Sequence, residues 1–131
     1  MNETVREWLA KAEGDYQTAR RERQVVESPN HDAVCFHAQQ CVEKLLKASL
    51  IHHSVLPPKT HDLPVLARLL PPLFPNWSCS VEDLRLLTRA AADFRYPGES
   101  ADREEAEQAF AICDRLRQQL LILLANEQQR S

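Results

Sequence analysis

Glycine is scarce in this chain, with only Gly14 and Gly98 among its 131 residues. Runs of β-branched residues are nearly absent, whereas Ala, Leu, Glu, Gln and Arg are abundant. Ala, Leu, Glu, Gln and Arg have high helix propensity, and β-branched residues are the ones that strands favour. The composition therefore predicts an all-α fold, and the length fits a single domain covering residues 1–131.

Long apolar runs are also missing, so no membrane-spanning segment is predicted. The amino-terminal stretch lacks the basic and apolar regions of a signal peptide. The four cysteines form no Cys-x-x-Cys pair, and no Cys or His pair has zinc-finger spacing. We therefore expect core thiols in a reducing cytoplasm, with no metal and no cofactor. The net charge of −3 does not require a nucleic-acid partner.

Several motifs that identify enzymes do not occur. The chain has no G-x-x-x-x-G-K-[ST] or G-x-G-x-x-G loop for phosphate binding. It also has no H-E-x-x-H zinc motif and no nucleophile elbow. These absences argue against the common nucleotide-dependent and hydrolytic enzyme classes, and no catalytic residue is assigned.

Apolar periodicity predicts five helices, four of them long and one short. The predicted ranges are about 4–23, 32–52, 61–70, 80–94 and 102–126. Proposed amino-terminal caps are Thr4 with Glu7, Thr60 or Asp62, Ser80 with Asp83, and Asp102 with Glu105. Short connections favour an antiparallel up-and-down bundle of four main helices plus one short helix.

The predicted bundle implies a site for an anion. If every helix reverses direction, helices 1, 3 and 5 begin at one end, and Lys47, His61, Arg95 and Tyr96 gather there with Asp62. Helix amino termini favour negative charge. A nucleotide, a phosphate or a carboxylate of a partner protein could therefore bind at this end. An internal salt bridge from Arg95 to Asp15, Asp62 or Glu99 is equally consistent with the sequence.

The segment FHAQQCVEKLLKA, residues 36–48, places polar side chains on an otherwise apolar helix. One side of helix 2 carries His37, Gln40, Glu43, Lys44 and Lys47. Asp15 of helix 1 is level with Gln39 and Gln40, one turn from Lys44. Phe36, Leu50 and Ile51 add apolar surface on the other side. Such a helix suits a dimer interface or a polar groove formed by Asp15, Gln40, Glu43 and Lys44. For Asp15, a satisfied structural cluster is the simpler interpretation.

The chain resembles the HEPN domain family. The residues that carry the resemblance are Asp15 and the segments CFHAQQCVEKLLKASL (35–50), PPKTHDL (57–63) and ADFRYPG (92–98). Their order covers nearly the whole chain. The resemblance implies a compact helical bundle that is usually dimeric. Such domains often stand beside a separate small nucleotidyltransferase, sometimes as a toxin–antitoxin pair, and others are linked to nucleotide binding.

Many toxic HEPN members are metal-independent ribonucleases, in which an Arg holds phosphate and a His a few residues later acts in proton transfer. Here Arg95 is the matching Arg, and no His follows it. The resemblance therefore implies a non-catalytic binding module for a nucleotidyltransferase partner or a nucleotide-like anion. The alternatives are a divergent ribonuclease toxin acting on RNA through Arg95, Tyr96 and His61, and a purely structural dimer.

Overall fold

The structure is a computed structural model that describes residues 1–75 and 77–130, without the side chains of 128–130. In this part the regular secondary structure consists of helices joined by turns and loops. The five helices are α1 (Glu3–Arg23), α2 (His31–His52), α3 (Leu63–Ala67), α4 (Val81–Asp93) and α5 (Arg103–Arg130). The prediction of four long helices and one short helix is confirmed. None of the described helices combines the length and apolarity needed to cross a bilayer.

Local side-chain chemistry starts the last three helices as predicted. Ser80 Oγ accepts a hydrogen bond from the Asp83 amide at 3.3 Å. Asp102 and Glu105 cap each other's amides at 3.0 and 2.8 Å. Asp62, rather than Thr60, caps α3. These bonds satisfy amides that have no partner within the helix, so the helix starts can be read from nearby residues.

The predicted capping box of α1 is wrong. Asn2 Oδ1 accepts from the Val5 amide at 2.8 Å, so α1 begins at Glu3, ahead of the proposed Thr4 cap. Asn30 caps α2 in the same way, at 2.9 Å from the Ala33 amide. Asn is among the best amino-terminal caps, and each Asn precedes the predicted start. At the carboxyl ends, α3 stops at residue 67 instead of the predicted 70, and α5 continues to residue 130 instead of the predicted 126.

The four long helices alternate in direction. Asp32 accepts from the Ala101 amide at 2.7 Å where α2 and α5 begin, and His53 lies 2.8 Å from Glu127 where both end. Helices α2 and α5 are therefore parallel. Contacts of α1 with α5 run in reverse order, through Arg23–Glu107, Tyr16–Asp114 and Glu13–Arg117. Arg95, just after the end of α4, lies over Phe36 near the start of α2, so α4 runs opposite to α2. The order α1, α2, α4, α5 is thus up, down, up, down, as in an up-and-down bundle.

The short helix α3 does not reverse the chain, and this corrects the predicted placement of α5. Five residues rise only about 7.5 Å, whereas the 22 residues of α2 rise about 33 Å. The segment between α2 and α4 therefore acts as one connection. Helix α5 begins beside the start of α2, so the prediction that helices 1, 3 and 5 share an amino-terminal end is wrong.

Helix α2 is the most enclosed helix, as predicted. Twelve of its residues are buried, and it packs against α1, α3, α4 and α5. Leu50 is fully buried within the chain, although the sequence suggested that it adds outer apolar surface.

The proline-rich loop packs against the core through the buried rings of Phe74 and Trp77, as predicted. The Trp77 Nε1 also donates a hydrogen bond to Gln119 Oε1 at 3.2 Å.

The cysteines behave as core residues, as predicted. Cys35, Cys41 and Cys113 are buried, Cys79 is half-buried, and all four are free thiols. Burial raises the pKa of the Cys35 thiol to about 12, with nearby carboxylates adding to the effect. A thiol with so high a pKa is protonated and unreactive at neutral pH, so Cys35 contributes packing rather than chemistry.

Candidate functional site

A continuous line of hydrogen-bonded polar side chains runs between α1, α2 and the loop before α3. We call it the polar seam, and it consists of Asp15, His37, Gln39, Gln40, Glu43, Lys44, Lys47 and His61. Each of these residues is bonded to at least one other member. It contains the four residues of the predicted polar groove and two of the four predicted anion-binding residues.

The α1 side of the polar seam is built on Asp15. Its side chain is only 12 % exposed, and its carboxylate lies between two residues of α2. Asp15 Oδ1 is 2.8 Å from His37 Nδ1, and Asp15 Oδ2 accepts from Lys44 Nζ. The sequence placed Asp15 in the apolar stripe of α1, level with the middle of α2, and the structure agrees. A carboxylate removed from water in this way needs a cationic partner, which Lys44 provides.

Two glutamines connect the halves of the polar seam. Gln40 Oε1 accepts weakly from Lys44 at 3.4 Å, and Gln40 Nε2 donates to Gln39 Oε1 at 2.8 Å. Gln39 Nε2 then donates to Glu43 Oε1 at 3.0 Å and to the His61 carbonyl at 3.3 Å. Each amide uses both its donor and its acceptor ends, so the two glutamines link the Asp15 and Glu43 ion pairs.

Glu43 is the centre of the other half. Its side chain is 5 % exposed and lies 2.8 Å from His61 Nδ1 and 3.1 Å from Lys47 Nζ. Burial raises the pKa of the Glu43 carboxyl, but hydrogen bonds from Gln39, His61 and Lys47, together with the Lys47 charge, outweigh it. The net pKa is below the ordinary value. Glu43 is therefore a buried carboxylate anion. The Trp8 ring, 5.8 Å from Lys47 Nζ, covers the pair from α1.

The structure does not bring the predicted anion-binding residues together. Lys47 and His61 meet at Glu43, whereas the Arg95 guanidinium lies over the Phe36 ring, with its carbon 5.3 Å from the ring centroid. Phe36 and Lys47 are eleven residues apart on α2, which is about 16 Å along the helix. Tyr96 follows Arg95 and is 67 % exposed. The predicted single site is thus two separate groups, because α3 does not traverse the bundle.

Arg95 also lacks the internal salt bridge that the sequence allowed. In the part of the chain that the structure describes, it forms no ion pair with Asp15, Asp62 or Glu99. Arg95 lies just beyond the end of α4 and is exposed. Its exposed side chain therefore lies over an aromatic ring, whereas both lysines of the polar seam are already paired with carboxylates.

His37 and Gln39 gain a larger role than the sequence gave them. Gln39 is 2 % exposed. The sequence contains a signal for the burial of Gln39. Residues 35, 39, 42 and 46 lie on one face of the helix, and the apolar Cys35, Val42 and Leu46 are all buried. His37 contacts Asp15, and its ring centroid is 5.3 Å from that of Phe36. His37 and Arg95 thus contact the same phenyl ring, which the sequence did not indicate.

Comparison with known proteins gives a family and a fold. The family model described as HEPN domain matches residues 5–123. TT1696 from Thermus thermophilus is a similar solved structure, with a TM-score of 0.68, 21 % identity, and coverage of 86 % of this chain and 91 % of that chain. ST0689, described as an archaeal HEPN homologue, has a TM-score of 0.63, 19 % identity and coverage of 88 % and 93 %. No curated protein matches.

Proposed function

This chain belongs to the HEPN domain family, and we propose that it is a non-catalytic binding module that receives an anionic group at Arg95. The observation that carries the proposal is the environment of Arg95. Its guanidinium is exposed and oriented by Phe36, and within the described residues it has no carboxylate partner. Lys44 and Lys47 are instead neutralised by Asp15 and Glu43, so they offer little charge to an outside ligand.

The Arg95 side chain is suited to phosphate or carboxylate. A guanidinium that lies over an aromatic face can still form two parallel hydrogen bonds through its edge. A cation–π contact contributes about 0.5–1 kcal/mol at an exposed site, and holding the side chain in place reduces the ordering cost of binding. Tyr96 adds an exposed ring and hydroxyl beside it. A nucleotide phosphate fits this chemistry, and so does an acidic side chain of a partner protein.

The proposed partners are a second copy of the chain and a separate small nucleotidyltransferase, in a toxin–antitoxin-like context in the cytoplasm. The family resemblance supports both partners, and the free thiols favour a reducing compartment. Of the three outer apolar residues of α2, the chain itself buries Leu50, whereas Phe36 and Ile51 are only half-buried and could contact a second copy. Sedimentation at micromolar concentration tests the dimer, and co-purification with the nucleotidyltransferase tests the other partner.

ATP and AMP should bind the wild-type protein more tightly than the Arg95→Ala variant. Loss of a charged hydrogen-bond donor costs about 1.5–3 kcal/mol, which corresponds to a decrease in affinity of about 10- to 150-fold. Binding should also weaken as salt increases, because the site is exposed to solvent. Isothermal titration calorimetry at low and moderate salt measures both effects.

The matched control for this titration is Arg6→Ala. Arg6 is an exposed arginine on α1, so its removal changes the net charge equally at a place remote from Arg95. Equal affinities of wild type, Arg95→Ala and Arg6→Ala would contradict a nucleotide site at Arg95. If no nucleotide binds but Arg95→Ala weakens association with a purified partner protein, the anionic group is a carboxylate of that partner.

One observation keeps the ribonuclease alternative open in an altered form. The sequence assigned it Arg95, Tyr96 and His61, but His61 bonds to Glu43, away from Arg95. His37 instead contacts the same Phe36 ring as Arg95, and Asp15 holds its Nδ1. An imidazole oriented by a carboxylate can act as a general base or acid. A divergent ribonuclease would therefore use Arg95 and His37.

We expect no cleavage of single-stranded RNA above background by the purified protein in the absence of metal. The family's paired Arg and His motif is missing, so Arg95 has no partner of the established kind. Gel analysis of a labelled RNA tests this, with His31→Ala as the histidine control. Cleavage that is lost in both Arg95→Ala and His37→Ala, but retained in His31→Ala, would establish the alternative instead.

A further inference from the structure

Two adjacent histidines and a remote glutamate converge at the end of α2 opposite to Arg95. His52 is the last residue of α2, His53 follows it, and Glu127 lies near the end of α5. Nε2 of His53 is 2.8 Å from Glu127 Oε2, and Nε2 of His52 is 3.6 Å from the same oxygen. The three ligand atoms lie within 4.8 Å of one another, and all three side chains are half-buried.

The orientation of His53 is not explained by an ordinary hydrogen bond. Among the described residues, its Nε2 is the only buried side-chain nitrogen or oxygen without a hydrogen-bond partner. It lies close to Glu127 Oε2, but the two atoms are not aligned for a hydrogen bond. The ring is fixed by an edge-on contact with Phe74, at 4.9 Å between centroids, and by His52 at 5.2 Å. A buried polar atom of this kind requires a partner.

We propose that His52, His53 and Glu127 bind one divalent transition-metal ion of the zinc class. Zinc binds imidazole nitrogen and carboxylate oxygen at about 2.0–2.2 Å, which in a tetrahedral site separates ligand atoms by about 3.3 Å. The separations of 2.8 and 3.6 Å lie on either side of this value. Two histidines and a glutamate form a recurrent zinc ligand set that leaves the fourth position for water or another ligand.

The sequence has no Cys or His pair with zinc-finger spacing, but this absence does not argue against a zinc site formed by His52, His53 and Glu127. That spacing identifies metal sites whose ligands come from short local motifs, whereas Glu127 is 74 residues beyond His53. A bound ion would connect the end of α2 to the end of α5. Because the unfolded chain does not hold the three ligands together, the ion would bind the folded state preferentially and stabilise it.

Zinc titration of the full chain tests the proposal. We expect one Zn²⁺ per chain, and at free zinc about 100-fold above the Kd the ratio of folded to unfolded protein should increase about 100-fold. His53→Gln and Glu127→Gln should each weaken zinc binding by at least about tenfold, because loss of even an outer-shell partner costs about 10- to 100-fold. His31→Gln and Cys79→Ala are the controls and should bind zinc like the wild type.

Cobalt provides a readout that does not depend on the folding of the variants. Wild-type protein with Co²⁺ should show the visible absorption of four-coordinate cobalt without a thiolate charge-transfer band. No zinc uptake by the wild type, unchanged affinity in both ligand variants, or a thiolate band that disappears in Cys79→Ala would each overturn the assignment. In the first case the three side chains form ion pairs only. The test is independent of the function proposed for Arg95.

Discussion

Replacing Glu43 with Ala should lower the free energy of unfolding by about 3–5 kcal/mol, the range measured when one partner of a buried ion pair is removed. The substitution leaves the Lys47 ammonium, which is 11 % exposed, without its anion, and leaves the buried Gln39 amide with only the His61 carbonyl, at 3.3 Å, as its acceptor. Domains of this size are stable by only about 5–15 kcal/mol, so the variant should be close to unfolding. Urea denaturation measures the change as a shift in midpoint at constant slope.

Two control variants separate the charge of Glu43 from its size and from general effects of losing a carboxylate. Glu43→Gln keeps an acceptor for Gln39 and His61 but removes the negative charge, so its loss should be intermediate. Glu104→Ala removes an exposed carboxylate from the first turn of α5 and should change stability by less than about 0.5 kcal/mol. A Glu43→Ala loss no larger than that of Glu104→Ala would contradict the buried ion pair.

The Glu43 contribution should also depend on pH. The pKa of this carboxyl is lower in the folded state than its ordinary value of 4.5, because hydrogen bonds and Lys47 outweigh desolvation. A group with a depressed folded pKa stabilises the fold above the unfolded pKa, and this stabilisation is lost as the pH falls through the folded pKa. The stability difference between wild type and Glu43→Gln should therefore be constant near neutral pH and should shrink below about pH 4.5.

The starts of several helices and the alignment of α1 along α2 could be predicted from the sequence, because both depend on residues close together in the chain. Ser80, Asp102 and Asp62 cap amides a few positions away. Counting turns back from one short connection placed Asp15 within one turn of Lys44, to which it bonds. The direction of α5 was not accessible, because it depends on whether α3 traverses the bundle. Capping by Asn2 shows that propensity alone does not choose between adjacent candidates.

The parts of the site that escaped prediction involve long loops or distant segments. His61 reaches Glu43 because residues 53–62 return along α2, a path that apolar periodicity does not encode. His53 and Glu127 meet only because α2 and α5 are parallel. Five residues of the polar seam, His37, Gln40, Glu43, Lys44 and Lys47, were identified from their spacing on α2, whereas their pairing required the tertiary fold. This is why the predicted groove is a closed network of ion pairs in the structure.

Replacing Asp15 with Ala should lower the free energy of unfolding by about 1–3 kcal/mol, the cost of leaving buried partners unsatisfied. We expect less than for Glu43, because Lys44 and His37 are more exposed than Lys47 and can recover contact with water. Glu7→Ala, which removes an exposed carboxylate from the same helix, is the control. A loss of only a few tenths of a kcal/mol in Asp15→Ala would show that Asp15 is solvated.

Combining Asp15→Ala with Glu43→Gln tests whether the polar seam is one network or two ion pairs. The glutamines join the two carboxylates through Lys44–Gln40, Gln40–Gln39 and Gln39–Glu43 hydrogen bonds. Members of one network show coupling of about 0.5–3 kcal/mol in a double-mutant cycle, whereas independent sites add within about 0.3–0.5 kcal/mol. We expect coupling above about 0.5 kcal/mol at neutral pH, because losing either carboxylate frees donors that the glutamines can reorient to satisfy. Additive losses would mean that the weak 3.4 Å bond from Lys44 to Gln40 transmits nothing.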